Sequence, residues 1–350
     1  MNDPGAEGNE LRARISALPK AELHVHLDGS LRVETMLELA QEAAVPLPGR
    51  DAEELREYMH AREARDLVEY LERFETTLSV MQTIAALERV AYELAEDLAG
   101  EGVWYAEIRF SPVLHSRQGL LLEDIIEAVL RGLGRAEREL GIRCGVIICG
   151  IRNMDPATSQ LLADLTVAFK GRGVVAFDLA GAEYNYPAKK HAKAFHTVLG
   201  ANMATTIHAG EAYGPESIDQ ALHYCGAHRI GHGTRLFEDP DLMRYVIDFR
   251  VPIEVCLTSN VQTRVVSSFA SHPLRDYFDA GVVLSLNTDN RLISRTTLTD
   301  EFLRAHEYLG FTWDELLRVA RMSFGAAFLP WKEKVRMIER FDAVTGYADR

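Results

Sequence analysis

Two histidines one residue apart close the run Ala21-Glu22-Leu23-His24-Val25-His26. On a strand, side chains two apart share a face, so both imidazoles can reach one metal ion. Alone, such a pair fits the surface of an edge strand equally well. Three further clusters change the weighing: His208-Ala209-Gly210-Glu211, Gly231-His232-Gly233-Thr234 and Asn287-Thr288-Asp289-Asn290 each follow a short apolar run. Candidate ligands and acid-base groups thus recur at strand ends, which marks one site. Three imidazoles and one carboxylate, with a position left for water, suit a borderline cation such as Zn²⁺, and His24, His26, His208 and Asp289 supply that set. His232 is then either a fourth imidazole ligand or a neighbour of the water that holds or accepts its proton. Glu211 lies three residues beyond His208 and shares its loop without sharing the metal. A glutamate after a strand is ordinarily solvated surface. Here Ala209 and Gly210 let backbone and substrate approach closely, and Glu211 is read as a catalytic acid. Zinc lowers the pKa of bound water towards about 7, but what the hydroxide attacks is not written in the ligands.

The elements that must position these groups are eight short β-rich runs, at about 21–26, 103–109, 143–149, 173–179, 203–208, 229–232, 252–257 and 281–287. Most are nearly continuous in Val, Ile, Leu and Ala, the pattern of parallel strands buried on both faces. Helical stripes fill the intervals: Ile84, Leu87, Val90, Leu94 and Leu98 before Gly100, and Ile125, Ile126, Val129, Leu130 and Leu133. Pro215, Pro240 and Pro273 stand where first helical turns would begin. The alternation predicts an α/β fold, a single (β/α)₈ TIM barrel, with an open doubly wound sheet as the competitor. Such barrels carry catalytic groups at the C-terminal strand ends, where this chain places His24 and His26, Arg109, Arg152, Asp178 and Gly181, His208 and Glu211, His232, Thr258-Ser259-Asn260, and Asp289 and Asn290. The interval 27–102 exceeds one crossover helix and must hold extra helices after strand 1. Within it Leu67, Tyr70, Leu71 and Phe74 fall at helical spacing, as ordinary core or as an apolar lid over the barrel mouth.

Composition narrows the partners. A chain of 350 residues with 47% hydrophobic residues can bury a full core. Its net charge of −14, without a lysine and arginine cluster, argues against nucleic acid and for a neutral or cationic small ligand. No apolar run approaches the roughly 20 residues that span a bilayer, and Met1-Asn2-Asp3-Pro4-Gly5 lacks signal-peptide features, so a soluble cytoplasmic protein is expected, with no membrane partner. Cys144, Cys149, Cys225 and Cys256 sit scattered in apolar runs and read as small buried hydrophobes, which leaves His and carboxylate to hold any metal. Residues 1–10 are expected to be disordered and the tail after Ala343 to fray, around a single domain over 11–343.

Five motifs, in this order, resemble the adenosine deaminases of the amidohydrolase superfamily: His24-Val25-His26-Leu27-Asp28-Gly29-Ser30, Asp178-Leu179-Ala180-Gly181, His208-Ala209-Gly210-Glu211, Gly231-His232-Gly233 and Ser285-Leu286-Asn287-Thr288-Asp289. The resemblance runs from about Pro19 to Phe341, through Arg109-Phe110-Ser111-Pro112 and Ala326-Ala327-Phe328-Leu329-Pro330. It implies a zinc barrel, one Zn²⁺ per chain, that converts adenosine and 2′-deoxyadenosine with water to inosine-type products and ammonia. His24, His26, His208 and Asp289 match the zinc ligands, with His26 also on the substrate side. Glu211 matches the acid that protonates purine N1 while hydroxide attacks C6. His232 orients or deprotonates the water, which also donates to Asp289. Gly181 matches a backbone contact on the N3 side, Asp28 a partner of the ribose 5′-hydroxyl, and Leu67, Tyr70 and Phe74 the apolar lid.

Two positions depart from the family pattern. Asn290 stands where a second aspartate faces purine N7, and Ala182 where an acidic residue follows the glycine. The competing substrates are 6-aminodeoxyfutalosine, adenine and N6-substituted adenine nucleosides or nucleotides, for which Arg32, Arg291 and Arg295 would hold an added acidic group. A non-catalytic nucleoside-binding relative is a further reading, opposed by the complete ligand set and Glu211. The nucleic-acid deaminases are excluded by the missing His-x-Glu and Pro-Cys-x-x-Cys zinc signature.

Overall fold

The computed structural model describes residues 4–62 and 64–348. Eight parallel strands are hydrogen-bonded in chain order: β1 (Lys20–His26), β2 (Val103–Phe110), β3 (Arg143–Ile151), β4 (Val174–Ala180), β5 (Ala204–Ala209), β6 (Arg229–His232), β7 (Ile253–Val255) and β8 (Leu284–Leu286). β1 and β8 meet through a parallel bridge between Val25 and Asp289, which brings the sheet round to a barrel rather than an open sheet. The strands form because their residues are apolar towards the helices; Val146 and Ile148 of β3, for example, are fully buried in the common core. Their interior partners are polar in several layers, with Glu22, Glu107, Arg109, Arg229 and Glu254 all buried.

Helices pack around the strands as the apolar stripes require. The helix Ile84–Gly100 starts at Thr83, whose hydroxyl accepts the Ala86 N–H, and it buries Leu87, Val90, Leu94 and Leu98. It lies against the helix Leu122–Leu140, which ends at Gly141 in the left-handed region. Pro215 and Pro240 occupy first helical turns, whereas Pro273 stands just before Leu274–Ala280 as its N-cap. The interval after β1 holds the helices Val33–Ala43, Ala52–Met59, Leu67–Leu71 and Phe74–Val80 before the crossover helix Ile84–Gly100.

Three expectations need correction. Residues 1–10 are not disordered as a stretch: a helix runs Pro4–Ala17, while Met1–Asp3 lie outside the described residues. Its sequence is rich in Glu, Leu, Arg and Ala, good helix formers, and docking holds it through an Arg12–Asp300 ion pair of 2.7 Å and Arg14 stacked on Trp313. At the other end the helix Trp331–Thr345 continues past Ala343 to Gly346, anchored by buried Phe341; residues 349–350 lie outside the described residues. The seventh strand is only Ile253–Val255, because the chain leaves extended geometry at Cys256 and enters the helix Leu257–Gln262. Thr258, Ser259 and Asn260 are therefore presented by a helix. All four cysteines are free, and no helix among the described residues is long and apolar enough to cross a membrane.

Candidate active site

The bridge that joins β1 to β8 also builds the centre of the site. Asp289 N–H donates to the His24 carbonyl at 2.8 Å, and His26 N–H donates to the Asp289 carbonyl at 2.7 Å. This sets the Asp289 carboxylate between the two histidines, with Oδ1 3.4 Å from the Nε2 of each. His208, at the end of β5, brings its Nε2 to 3.1 Å from His26 Nε2. His24, His208, His232 and Asp289 form a buried group whose potential ligand atoms lie within 4.8 Å of one another, so five side chains converge, not four. Gly231 makes this possible: a Cβ there would lie 3.0 Å from His24 Cε1 and 3.2 Å from the His208 Cα. Asp289 and His232 both have left-handed backbones, at φ 59° and 64°, a strain on the order of 1 kcal/mol each that the surrounding ladder holds in place.

Carboxylates behind the imidazoles decide which nitrogen faces inward. Glu254 Oε2 lies 2.8 Å from His24 Nδ1, and Asp178 Oδ2 lies 3.1 Å from His208 Nδ1. Each carboxylate accepts a hydrogen bond from Nδ1–H, which leaves an Nε2 lone pair for a cation. His24 Nε2 is buried without a hydrogen-bond partner among the described residues. Such an orphaned acceptor, beside two more ε-nitrogens and a carboxylate oxygen, fits a divalent ion with nitrogen and oxygen preference. The carboxylates are held in turn by Arg109, at 2.9 Å from Asp178 and 2.8 Å from Glu254, and Arg229 donates to Glu254 at 2.7 Å. Asp178 and Glu254 are tolerated as buried ions because each is paired with an arginine.

Beyond the cluster, Glu211 Oε2 lies 3.6 Å from His232 Nε2. Burial pushes the Glu211 carboxyl well above its ordinary range, and the nearby Asp289 and Glu183 carboxylates push the same way. The shift favours the protonated form of Glu211, the one that can give a proton. Its loop is fixed by Glu183, whose carboxylate accepts the N–H groups of Gly210 at 2.7 Å, Glu211 at 2.9 Å, Tyr213 at 3.0 Å, and Ala212.

The remaining residues read as substrate contacts follow strand ends or lie on the helices after β1. Asp28 is buried, its Oδ1 has no partner among the described residues, and burial pushes its pKa up to about 7. Gly181 follows β4 at φ 96°, a conformation that favours glycine. Tyr70 and Leu67 are buried on the helix Leu67–Leu71, and the Phe74 ring stands edge-on to His26 with centroids 6.2 Å apart. The Asn290 carboxamide reaches the Tyr70 hydroxyl at 2.9 Å, which meets Ser294 Oγ at 2.8 Å. The helix thus closes on the barrel mouth through the end of β8. Arg32 is bound to Glu96 and Asp97, Arg291 to Glu101 and Arg295 to Glu57, so each of these arginines already has its carboxylate.

The family model described as adenosine deaminase matches residues 19–344. This chain belongs to the adenosine deaminase family. It is 43% identical to an adenosine deaminase of Mycobacterium sp. (strain JLS), over 93% of this chain and 94% of that one. It is also 43% identical to a probable adenosine deaminase of Dictyostelium discoideum, covering 92% of this chain but only 42% of that longer protein. Among solved structures, an adenine deaminase of Arthrobacter aurescens superposes with a TM-score of 0.89 at 28% identity, covering 95% of this chain and all of the other. The N6-methyl-AMP deaminase of Arabidopsis thaliana gives 0.84 at 28%, covering 96% and 99%. This member of the adenosine deaminase family is a hydrolase of C–N bonds with a His/Asp metal-binding cluster.

Several working residues of this deaminase escape a reading of its sequence. Glu254 is one of them, although a lone acid inside the apolar run Pro252-Ile253-Glu254-Val255-Cys256 is a usable signal of a buried partner. Glu183, one position after Ala182, ties down the Glu211 loop, a role that its place in a polar loop does not signal.

Proposed function

We propose that this adenosine deaminase hydrolyses adenosine and 2′-deoxyadenosine to inosine or 2′-deoxyinosine and ammonia, with one Zn²⁺ per chain held by His24, His26, His208 and Asp289. The observation that carries the reading is Glu211, a buried carboxyl 3.6 Å from His232 Nε2 and beside the convergent ε-nitrogens, with its pKa pushed up by burial. When bound, the ion supplies Lewis-acid activation of water, lowering its pKa to about 7. Glu211 gives its proton to purine N1, which withdraws electron density from C6 and opens that carbon to attack. His232 orients the water towards C6, and Asp289 accepts a hydrogen bond from it. Asp28 receives the ribose 5′-hydroxyl and the Gly181 backbone meets the N3 side. Leu67, Tyr70 and Phe74 close over the purine and exclude bulk water. The paired state of Arg32, Arg291 and Arg295 favours a nucleoside over a substrate with an added acidic group. Incubation with adenosine is expected to release inosine and ammonia in equal amounts; release of neither would refute the reading.

Asn290 is assigned to purine N7. N7 is an acceptor, and a carboxamide donates to it at any pH, whereas an aspartate must first hold a proton. Asn290 Nδ2 donates one N–H to the Tyr70 hydroxyl at 2.9 Å, so the second N–H of the same NH₂ is the donor offered to N7. With 7-deazaadenosine, where carbon replaces N7, kcat/KM is expected to fall roughly three- to a hundredfold relative to adenosine. Asn290→Ala should lose that discrimination. Equal discrimination by variant and wild type would show that Asn290 does not read N7.

A further inference from the structure

A chain of buried hydrogen bonds behind His232 has a direction fixed by one backbone group. The Leu274 N–H donates to His272 Nδ1 at 3.0 Å. A ring nitrogen that accepts carries no proton, so the proton of neutral His272 is on Nε2. His272 is buried, and burial pushes its pKa down to about 3. Its Nε2–H lies 3.1 Å from Asn260 Oδ1, which also accepts the Thr234 hydroxyl at 3.0 Å. The Asn260 carbonyl is therefore the end that faces His272, and its NH₂ is the end 3.1 Å from His232 Nδ1. His232 Nδ1 must accept, which leaves its own proton on Nε2.

We propose that Asn260 and His272 are positioning residues that hold His232 as the Nε2–H tautomer, so that it meets the reacting water as a hydrogen-bond donor and not as a lone pair. The proposal deepens the reading of His232 as a water-orienting group and rests on it. A donor at Nε2 removes His232 from the set of metal ligands, since coordination through Nε2 needs that lone pair. It also removes His232 as the base that takes the water's proton, which leaves the Asp289 carboxylate, the group that accepts the water's hydrogen bond, as the acceptor of that proton. The only free lone pair of this tautomer is on Nδ1, which faces the Asn260 amide and away from the cluster. His26 then completes the ligand set despite lying outside the tightest group of candidate atoms. The helix Leu257–Gln262 is what presents Asn260, so the early end of the seventh strand has a purpose in this geometry.

The test needs no variant at first. Zinc-loaded enzyme labelled with ¹⁵N-histidine is examined by NMR, where two-bond couplings distinguish protonated from bare ring nitrogens. His232 is expected to show a protonated Nε2 and a bare Nδ1. Protonation of Nδ1, or of both nitrogens, would overturn the proposal, and neither result depends on turnover. Asn260→Asp then replaces the donating amide by a carboxylate of the same shape, which accepts from His232 Nδ1 and reverses the tautomer. Its kcat is expected to fall by about 100-fold with KM and zinc content unchanged. A variant that shows Nδ1–H on His232 yet keeps wild-type kcat would also overturn it. Loss of zinc from Asn260→Asp would contradict the claim that this relay acts on His232 alone. If wild-type enzyme showed the expected tautomer but no adenosine turnover, the functional reading would fail while this one stood.

Discussion

Glu211→Gln is expected to keep its metal and to lose about 10²- to 10⁴-fold in kcat. The amide keeps the shape and the hydrogen-bonding reach of the acid but cannot give up the proton that purine N1 requires. Burial raises the Glu211 carboxyl well above its usual range, and only the protonated form serves as the acid. Activity dependent on it is therefore complete below that raised pKa and disappears as pH climbs through it. The wild-type kcat profile should carry this alkaline limb, and the residual activity of Glu211→Gln should not. Steady-state kinetics and metal analysis of the two proteins check the prediction. A Glu211→Gln enzyme with near-normal kcat would place the acid elsewhere.

His24→Ala is expected to lose the metal itself. His24 offers an unpartnered, buried Nε2 to the cluster while Glu254 holds its other nitrogen, so truncation removes a ligand and strands a buried carboxylate. Loss of turnover should exceed about 10³-fold at ordinary zinc concentrations, with less than stoichiometric metal in the purified variant. Chelation of the wild-type enzyme should give the same loss, reversed by added Zn²⁺. Full activity in metal-free protein would remove the basis of the mechanism. The two variants separate the roles: one leaves the metal and removes a proton donor, the other leaves the donor and removes the metal.

Much of this site is legible in the sequence, because polar residues at the ends of apolar runs have few other reasons to be there. His24, His26, His208 and Asp289 stand out on that ground, and the runs themselves are legible as buried parallel strands. The groups behind them were not legible. Glu254 meets His24 across 230 residues and Arg109 meets Asp178 across 69, and such pairs depend on barrel register, to which local sequence is blind. Thr258-Ser259-Asn260 follows an apolar run and so reads as a strand end; the early turn into a helix is a tertiary effect. The Tyr70 hydroxyl shows the same limit. Its helical spacing fits core and lid alike, and only the contact with Asn290, 220 residues away, ties it to the barrel mouth.

The central claim is that this member of the family acts on a nucleoside. A competition measurement addresses it most directly: adenosine is mixed with equal concentrations of adenine, N6-methyl-AMP or 6-aminodeoxyfutalosine, and the products are quantified at early times. The ratio of rates equals the ratio of kcat/KM values. Adenosine is predicted to be consumed first in every mixture, and adenine or the acidic substrates to lag by at least about tenfold, since Arg32, Arg291 and Arg295 are each already paired with a carboxylate. Preferential consumption of any competitor would contradict the account.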